Sequence, residues 1–459
     1  MRARLLKILR DAPWFGPERA RGYRLIFALI GLTSGVGWVL LGHHGLNPSG
    51  KPPGTDFLAF WSAARLALTG TPEAAWDLDS IGAMEQISVP TDPGLSSFLY
   101  PPPFLLVCLP FGMLPYVGAL ALWLVLTGGL YLSAVRQWLT PHRGMLMTIA
   151  AFPAVWINLG HGQNGFLTGA LLGSGLWLAG RRPWPAGLLL GALVIKPQLA
   201  LALPVVMMAG GQWRVIGGAL ITLGALCLTA TVAFGPETWD AFVKAAPIGH
   251  AILEQGLVDP AKMVSLYAAL RVLHGPVWLA FAGQMTGAIG AVLLLAFVTR
   301  ISRVSREAAG ALTVATTLLM SPFLLDYDLT LGAIPIAWLF SQGLRRGFGP
   351  WDKIVLASAY TLPLIARPVA MTTGVPIAPL VLWALAIRVA CAALQDGGQQ
   401  SGVDRDPGVG DPLIVPAGVH PVGQQDDERI AGSIDVDGRP GKAGVHQRFG
   451  RGEGAGKAA

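Results

Sequence analysis

Residues 187–205 read "GLLLGALVIKPQLALALPV". The stretch is apolar on all sides except at Lys196 and Gln198, and Pro197 splits it. A lysine deep in such a run costs on the order of 3 kcal/mol or more in lipid. A proline inside a helix removes one backbone hydrogen bond and frees carbonyls. Arg181 and Arg182 precede the stretch and Arg214 follows it, so both ends of 184–210 carry the cytoplasmic signature. The simplest fold is a pair of short helices that enter the membrane, meet at "IKPQ" and return. Broken backbone at that depth is tolerated only under cover of protein or beside a water-filled cavity.

The rest of the chain fits that setting. Of 459 residues, 53% are hydrophobic and 13% charged, about half the charged share of a soluble domain. The mean hydropathy is +0.54. A span needs about 20 apolar residues. The first is expected at Leu25–Leu41, behind a basic, cytoplasmic N-terminus (1–24) and without a cleavage site, so it reads as a signal anchor. Residues 43–100 form a first external loop. The run 101–136 opens at "YPPPFLLVCLPFGMLP" (Tyr100–Pro115) and ends at Arg136, which predicts a short broken helix and then one full span. Further spans are expected near 144–159, from there back to Arg181, and at 215–234. A second external loop follows at about 235–276, then spans near 277–299, 308–325, 329–343, 353–370 and 376–394. The expectation is an all-α polytopic membrane protein of about 10–12 transmembrane or re-entrant helices, domain 25–394, with both termini cytoplasmic in the cell membrane. From 395 to 459 the composition turns to Gly, Asp and Gln, too polar to offset the entropy of ordering, so a disordered tail is expected. Cys108, Cys227 and Cys391 each lie in an apolar run and read as small buried hydrophobes. The net charge of +7 marks topology, and no nucleic-acid partner is expected.

Polar groups at membrane depth are functional candidates. Asp56 stands at the head of "GTDFLAFWSAARLALTG" (54–70), where Phe57, Phe60, Trp61, Ala64 and Leu68 recur at helical spacing. That predicts an external amphipathic helix in the interface. Asp56 has two compatible readings, a helix N-cap and a general base at the lipid–water boundary. Lys196 and Gln198 read either as a snorkelling cation and its neighbour or as the lining of a polar cavity for an anionic lipid head. "NLGHGQNG" (158–165) offers His161, Gln163 and Asn164 at an outer turn, as an ordinary connection or as partners for sugar hydroxyls. "SPFLLDYDLTL" carries Asp326, Tyr327 and Asp328. Two acids without further ligands are weak grounds for a cation. The predicted topology puts all four groups on the outer face. No phosphate-binding loop, "HExxH" or "GxSxG" in context is present, which excludes the common nucleotide and hydrolase chemistries.

In this order, "GTDFLAFWSAARLALTG", "YPPPFLLVCLPFGMLP", "NLGHGQNGFLTGALLGSGLWLAG", "GLLLGALVIKPQLALALPV", "FGPETWDAF" and "SPFLLDYDLTLGAIP" resemble glycosyltransferase family 87 over about residues 50–340. These are GT-C-type membrane enzymes that include polyprenyl-phosphate-mannose-dependent α-mannosyltransferases. The resemblance implies a polyprenyl-phosphate sugar as donor, no other cofactor, a glycolipid or glycan acceptor, inversion at the anomeric carbon, and an external-loop Asp as base, which is Asp56 by position. Lys196 and Gln198 are then expected to bind the donor's phosphate, and Gln163 to donate a hydrogen bond there or to the sugar or acceptor. Phe57, Trp61, His161, Asn164, Asp326, Tyr327 and Asp328 are expected to hold sugar or acceptor. Many relatives carry a histidine before "YDL"; here the segment is "SPFLLDYDL". The competing readings are a secondary transporter using Asp56, Lys196 and Asp326 as a relay, and a polymer-export subunit.

Overall fold

A computed structural model describes residues 2–41, 46, 52–88, 97–142, 144–301 and 304–403. Among them the protein is all-α. Five helices are long and apolar enough to cross a membrane: Tyr116–Arg136, Trp213–Phe234, Val277–Arg300, Asp352–Thr373 and Ala378–Asp396. Their outer faces are greasy. On the third, Met285, Ile289, Leu293 and Phe297 are all exposed at a spacing of four, one continuous helical stripe. Such a stripe needs lipid against it. The expected first span, all but its last residue, lies in the helix Pro17–Leu40, which starts with proline in its first turn and takes in Arg19, Arg21 and Arg24. Proline suits that position because the first amide has no helical partner.

The remaining expected spans are built from shorter pieces, and proline or glycine marks the joints. Run 101–136 is the short helix Pro102–Gly112 followed by the full helix Tyr116–Arg136. The expected span 144–159 divides into Met145–Ala150 and Pro153–His161. The 184–210 region is Pro183–Gly191 with a 3-10 turn Ala192–Ile195, then a 3-10 turn Pro197–Ala200 and the helix Leu203–Ala209. Lys196, in non-helical backbone (φ −147°, ψ 72°), is the joint between them. Gly187 and Gly191 let the first arm lie directly on Trp213–Phe234: a Cβ on either would collide with the carbonyl oxygen of Val215 or Ala219. Small residues four apart permit this approach between helices in lipid.

Four expectations change in detail. The 308–325 span is the helix Arg306–Thr317 with irregular chain beyond it, and the 329–343 span is a 3-10 turn Asp326–Gly332 leading into Ala333–Arg346. The expected external loop 235–276 contains the helices Glu237–Glu254 and Leu266–Val272. The last helix runs from Ala378 to Val403, past the boundary at 395; the rest of the expected tail lies outside the described residues.

The helix after the first span, Thr55–Leu68, forms as expected, but it does not float in the interface. Every residue from Phe57 to Ala64 is buried. Phe57, Phe60 and Trp61 pack among Phe98, Phe104, Phe111, Tyr116 and Trp123 in one aromatic core. The second, larger core joins Tyr131, Phe152, Phe166, Leu193, Leu312, Ile334 and Trp338. A third, smaller cluster of Leu253, Met263, Tyr267, Leu325 and Tyr327 reaches the candidate site through Tyr327.

Candidate active site

Gly54 precedes the Thr55–Leu68 helix in left-handed backbone (φ 72°), and Gly162 ends Pro153–His161 in the same conformation (φ 64°). Both need glycine. The two turns touch backbone to backbone, with the Gly54 N–H donating to the Gly160 carbonyl at 3.1 Å. A Cβ on Gly162 would stand 2.7 Å from that of Phe57. Tyr116 Oη donates to the Pro53 and Gly54 carbonyls, and Trp123 Nε1 donates to the Gly162 carbonyl at 3.0 Å. Residues a hundred positions apart are thereby brought into one frame.

On that frame Asp56 faces His161 and Gln163. Gln163 Nε2 donates to Asp56 Oδ2 at 3.0 Å, and Thr55 Oγ1 donates to Asp56 Oδ1 at 3.4 Å. His161 Nδ1 lies 3.7 Å from Asp56 Oδ1 and 3.3 Å from Thr55 Oγ1. The Gln163 amide is oriented in turn, because its Oε1 accepts from Tyr100 Oη at 3.0 Å and from the Asn164 N–H at 2.7 Å. Asp56 does not cap its helix; the cap position is Gly54, with no side-chain hydrogen bond. The carboxylate lies in the first turn instead and is held from across the fold. Its side chain keeps 28% of its surface exposed.

The second layer is a buried ion pair. Lys196 Nζ meets Asp328 Oδ1 at 2.5 Å and Asn164 Oδ1 at 3.4 Å. It also lies 5.4 Å from the centroid of the Tyr327 ring. Asp328 Oδ2 accepts the Leu325 N–H at 3.2 Å. The Lys196 and Asp328 side chains are 5% and 1% exposed. The broken backbone at Lys196 thus receives its counter-charge from the 3-10 turn. Tyr327 stacks edge-on against His161, with centroids 5.6 Å apart, and links the two layers. Asp326 is buried and its Oδ1 accepts the Tyr327 N–H at 2.9 Å.

Burial raises the Asp326 pKa, and the charges of His161, Arg367 and Lys262 pull against that rise. For His161, burial acts to lower the pKa, but the Asp56 carboxylate and the charge of Asp326 outweigh it, so the imidazole titrates above its ordinary value.

The structure therefore brings Asp56, His161, Gln163, Asn164, Lys196, Asp326, Tyr327 and Asp328 together. Phe57 and Trp61 are elsewhere: Phe57 is buried in the aromatic core, and Trp61 Nε1 donates to the Leu114 carbonyl at 2.9 Å. Neither side chain can touch a sugar without unpacking that core. Among the described residues no hydrogen bond joins Gln198 to the cluster. Lys196 is a buried cation already paired with Asp328 rather than a free one. Tyr100, Lys262 and Arg367 belong to the site's surroundings and were not among the expected residues. Tyr100 opens the "YPPP" motif, which was its one available signal. Lys262 lies in unremarkable sequence, and Arg367 gave a signal as a lone charge in the apolar run "LPLIARPVAM" (362–371) of an expected span.

Three helices that begin beside this cluster end in arginine: Tyr116–Arg136, Gly165–Leu178 with Arg181 and Arg182 beyond it, and Ala333–Arg346. The cluster occupies one end of the bundle and this basic set the other.

The model of glycosyltransferase family 87 matches residues 98–322. Tyr100, His161, Gln163, Asn164, Lys196 and Lys262 fall inside the match. Asp56 and Asp326–Asp328 lie outside its two ends and fold back onto it. No curated protein and no solved structure matches the chain.

Proposed function

Given that this chain belongs to glycosyltransferase family 87 and is a membrane glycosyltransferase, we propose that it moves a sugar from a polyprenyl-phosphate donor to a lipid or glycan acceptor, with Asp56 as general base. One observation carries the choice of base. Of the three carboxylates in the cluster, Asp328 is tied to Lys196 and Asp326 is buried on its own turn, whereas Asp56 keeps an open flank. A base must reach the proton it removes. Asp56 is held by Gln163 and stands next to His161, so its orientation is set before any substrate arrives.

The acceptor hydroxyl gives its proton to Asp56 as its oxygen bonds to the anomeric carbon. The bond from that carbon to the phosphate oxygen breaks on the opposite face, and the electron pair stays on the phosphate. Configuration inverts. A phosphate is a good leaving group, so one carboxylate suffices where glycoside hydrolysis uses two. The reading calls for no metal and no cofactor. Mannose is the sugar the family resemblance favours. The outer face of the cell membrane is supported by the arginines at the far end of three helices, since basic ends stay in the cytoplasm; both chain termini are then cytoplasmic.

The test is transfer by the purified full-length protein in detergent, offered defined polyprenyl-phosphate sugars, with products read by mass. Asp56→Asn should lower the rate by about 10²-fold or more while the protein stays monodisperse. A transporter would need a sealed vesicle, so turnover in detergent separates the two readings. No transfer from any donor, or full activity in Asp56→Asn, overturns the proposal.

A further inference from the structure

A departing lipid phosphate gains negative charge and needs cations or N–H groups where that charge develops. Lys196, the lysine expected for this task, is 4% exposed and already neutralised by Asp328. The cations must come from elsewhere in the fold.

The backbone supplies them. Met263 and Leu325 form an antiparallel bridge, and the Val264 N–H donates to the Leu324 carbonyl at 2.9 Å. Lys262 ends the 3-10 turn Pro260–Lys262 and Asp326 opens the turn Asp326–Gly332, so the bridge between their neighbours brings the two residues close. The Asp352–Thr373 helix packs against both of these turns. Its Ala366 and Ala370 share the wall of one small apolar cleft with Pro260, Ala261 and Met263, which brings Arg367 to the same corner. Both cations are half-buried. Among the described residues neither makes an ion pair within 4.0 Å nor a side-chain hydrogen bond. Cations placed only to neutralise Asp326 would sit against it. These two stand off it, while both act on its charge and Lys262 also acts on His161.

We propose that Lys262 and Arg367 together hold the phosphate of the lipid donor and take up the charge released when its bond to the sugar breaks. The assignment rests on the function proposed above and names the part of the site that function leaves open. The donor is a phosphodiester with one negative charge. After cleavage it is a phosphomonoester, and the additional charge falls on the oxygen that left the sugar. A guanidinium fork can take two of the phosphate oxygens, and an ammonium can take the third.

The test measures inhibition of sugar transfer by farnesyl phosphate, a short analogue of the released product, with farnesol as the uncharged control. Lys262→Gln and Arg367→Gln keep most of the stem and remove the charge. Each should weaken inhibition by farnesyl phosphate about 10-fold or more, raise the donor KM in step, and leave the acceptor KM and the effect of farnesol unchanged. Arg367→Lys should recover part of the loss. Unchanged inhibition in both monodisperse variants overturns the assignment while wild-type transfer stands. Failure of the wild-type protein to transfer from any polyprenyl-phosphate sugar overturns the function itself. If a glutamine variant does not purify, Lys262→Arg and Arg367→Lys decide the point: affinity for farnesyl phosphate equal to wild type in both would refute the specific geometry.

Discussion

Replacing Lys196 with methionine is the sharpest test of what this lysine does. The change keeps the length of the side chain and removes its charge. Asp328 is then left 1% exposed with the Leu325 N–H as its remaining hydrogen bond. Breaking a buried pair by removing one partner costs about 3–5 kcal/mol, chiefly because the other charge is stranded. Lys196→Met should therefore lose about that much. Asp328→Asn should lose a similar amount, since it strands the ammonium instead. In Lys196→Met with Asp328→Asn both charges are gone, and the new amide oxygen can still accept the Leu325 N–H. The double variant should return to within about 1–2 kcal/mol of wild type, a coupling of several kcal/mol between adjacent residues. Thermal unfolding in detergent, followed by tryptophan fluorescence across the four proteins, reads the cycle. Additive losses, or a neutral Lys196→Met, would refute the ion-pair argument. Transfer activity in the stable double variant adds a second answer. If it is retained, Lys196 is structural; if it is abolished, Lys196 returns to the donor phosphate.

Two further outcomes follow from the site. Gly165→Ala would put a Cβ 2.5 Å from Asn158 Oδ1, 2.8 Å from Thr330 Oγ1 and 3.1 Å from the Tyr327 carbonyl; the overpacking should cost about 1–3 kcal/mol, and an unfolding temperature equal to wild type would contradict it. The raised His161 pKa has a defined sign. Its pairing with Asp56 adds stability that is fully present below the ordinary histidine value of about 6.5 and is lost as pH climbs through the raised folded value. Wild type should therefore outlast His161→Gln in thermal unfolding at pH 6 by more than it does at pH 9. A gap that stays constant or widens towards alkaline pH would show that the pairing contributes nothing.

Much of the bundle was legible because lipid imposes simple demands. Apolar length and flanking arginines located the helices Tyr116–Arg136, Trp213–Phe234 and Val277–Arg300, and the proline at 197 located the joint between two short arms. The polar residues that gather at one end were legible for the same reason, since each was out of place in an apolar run. What stayed hidden was partnership. An aromatic helix such as Thr55–Leu68 reads identically whether it faces lipid or protein, because lipid tails are as apolar as a core. Phe57 and Trp61 were therefore placed at a surface they do not reach. Lys196 was conspicuous, but nothing local to it points to an aspartate 132 positions further on. Lys262 lies among polar neighbours and needs no excuse, whereas Arg367 interrupts the apolar run "LPLIARPVAM" (362–371) but nothing local to it names what it faces. Only the bridge at Met263 and Leu325 reveals what they face.

The burial of Phe57 to Ala64 has one more consequence. It closes off every route away from Asp56 along its own helix, and the Gly54–Gly162 contact closes the side beneath. On the proposed mechanism, the proton that Asp56 accepts in each turnover leaves by the flank that stays open, beside His161 and Thr55. The acceptor reaches the carboxylate on that same flank, so proton discharge and acceptor entry take turns there.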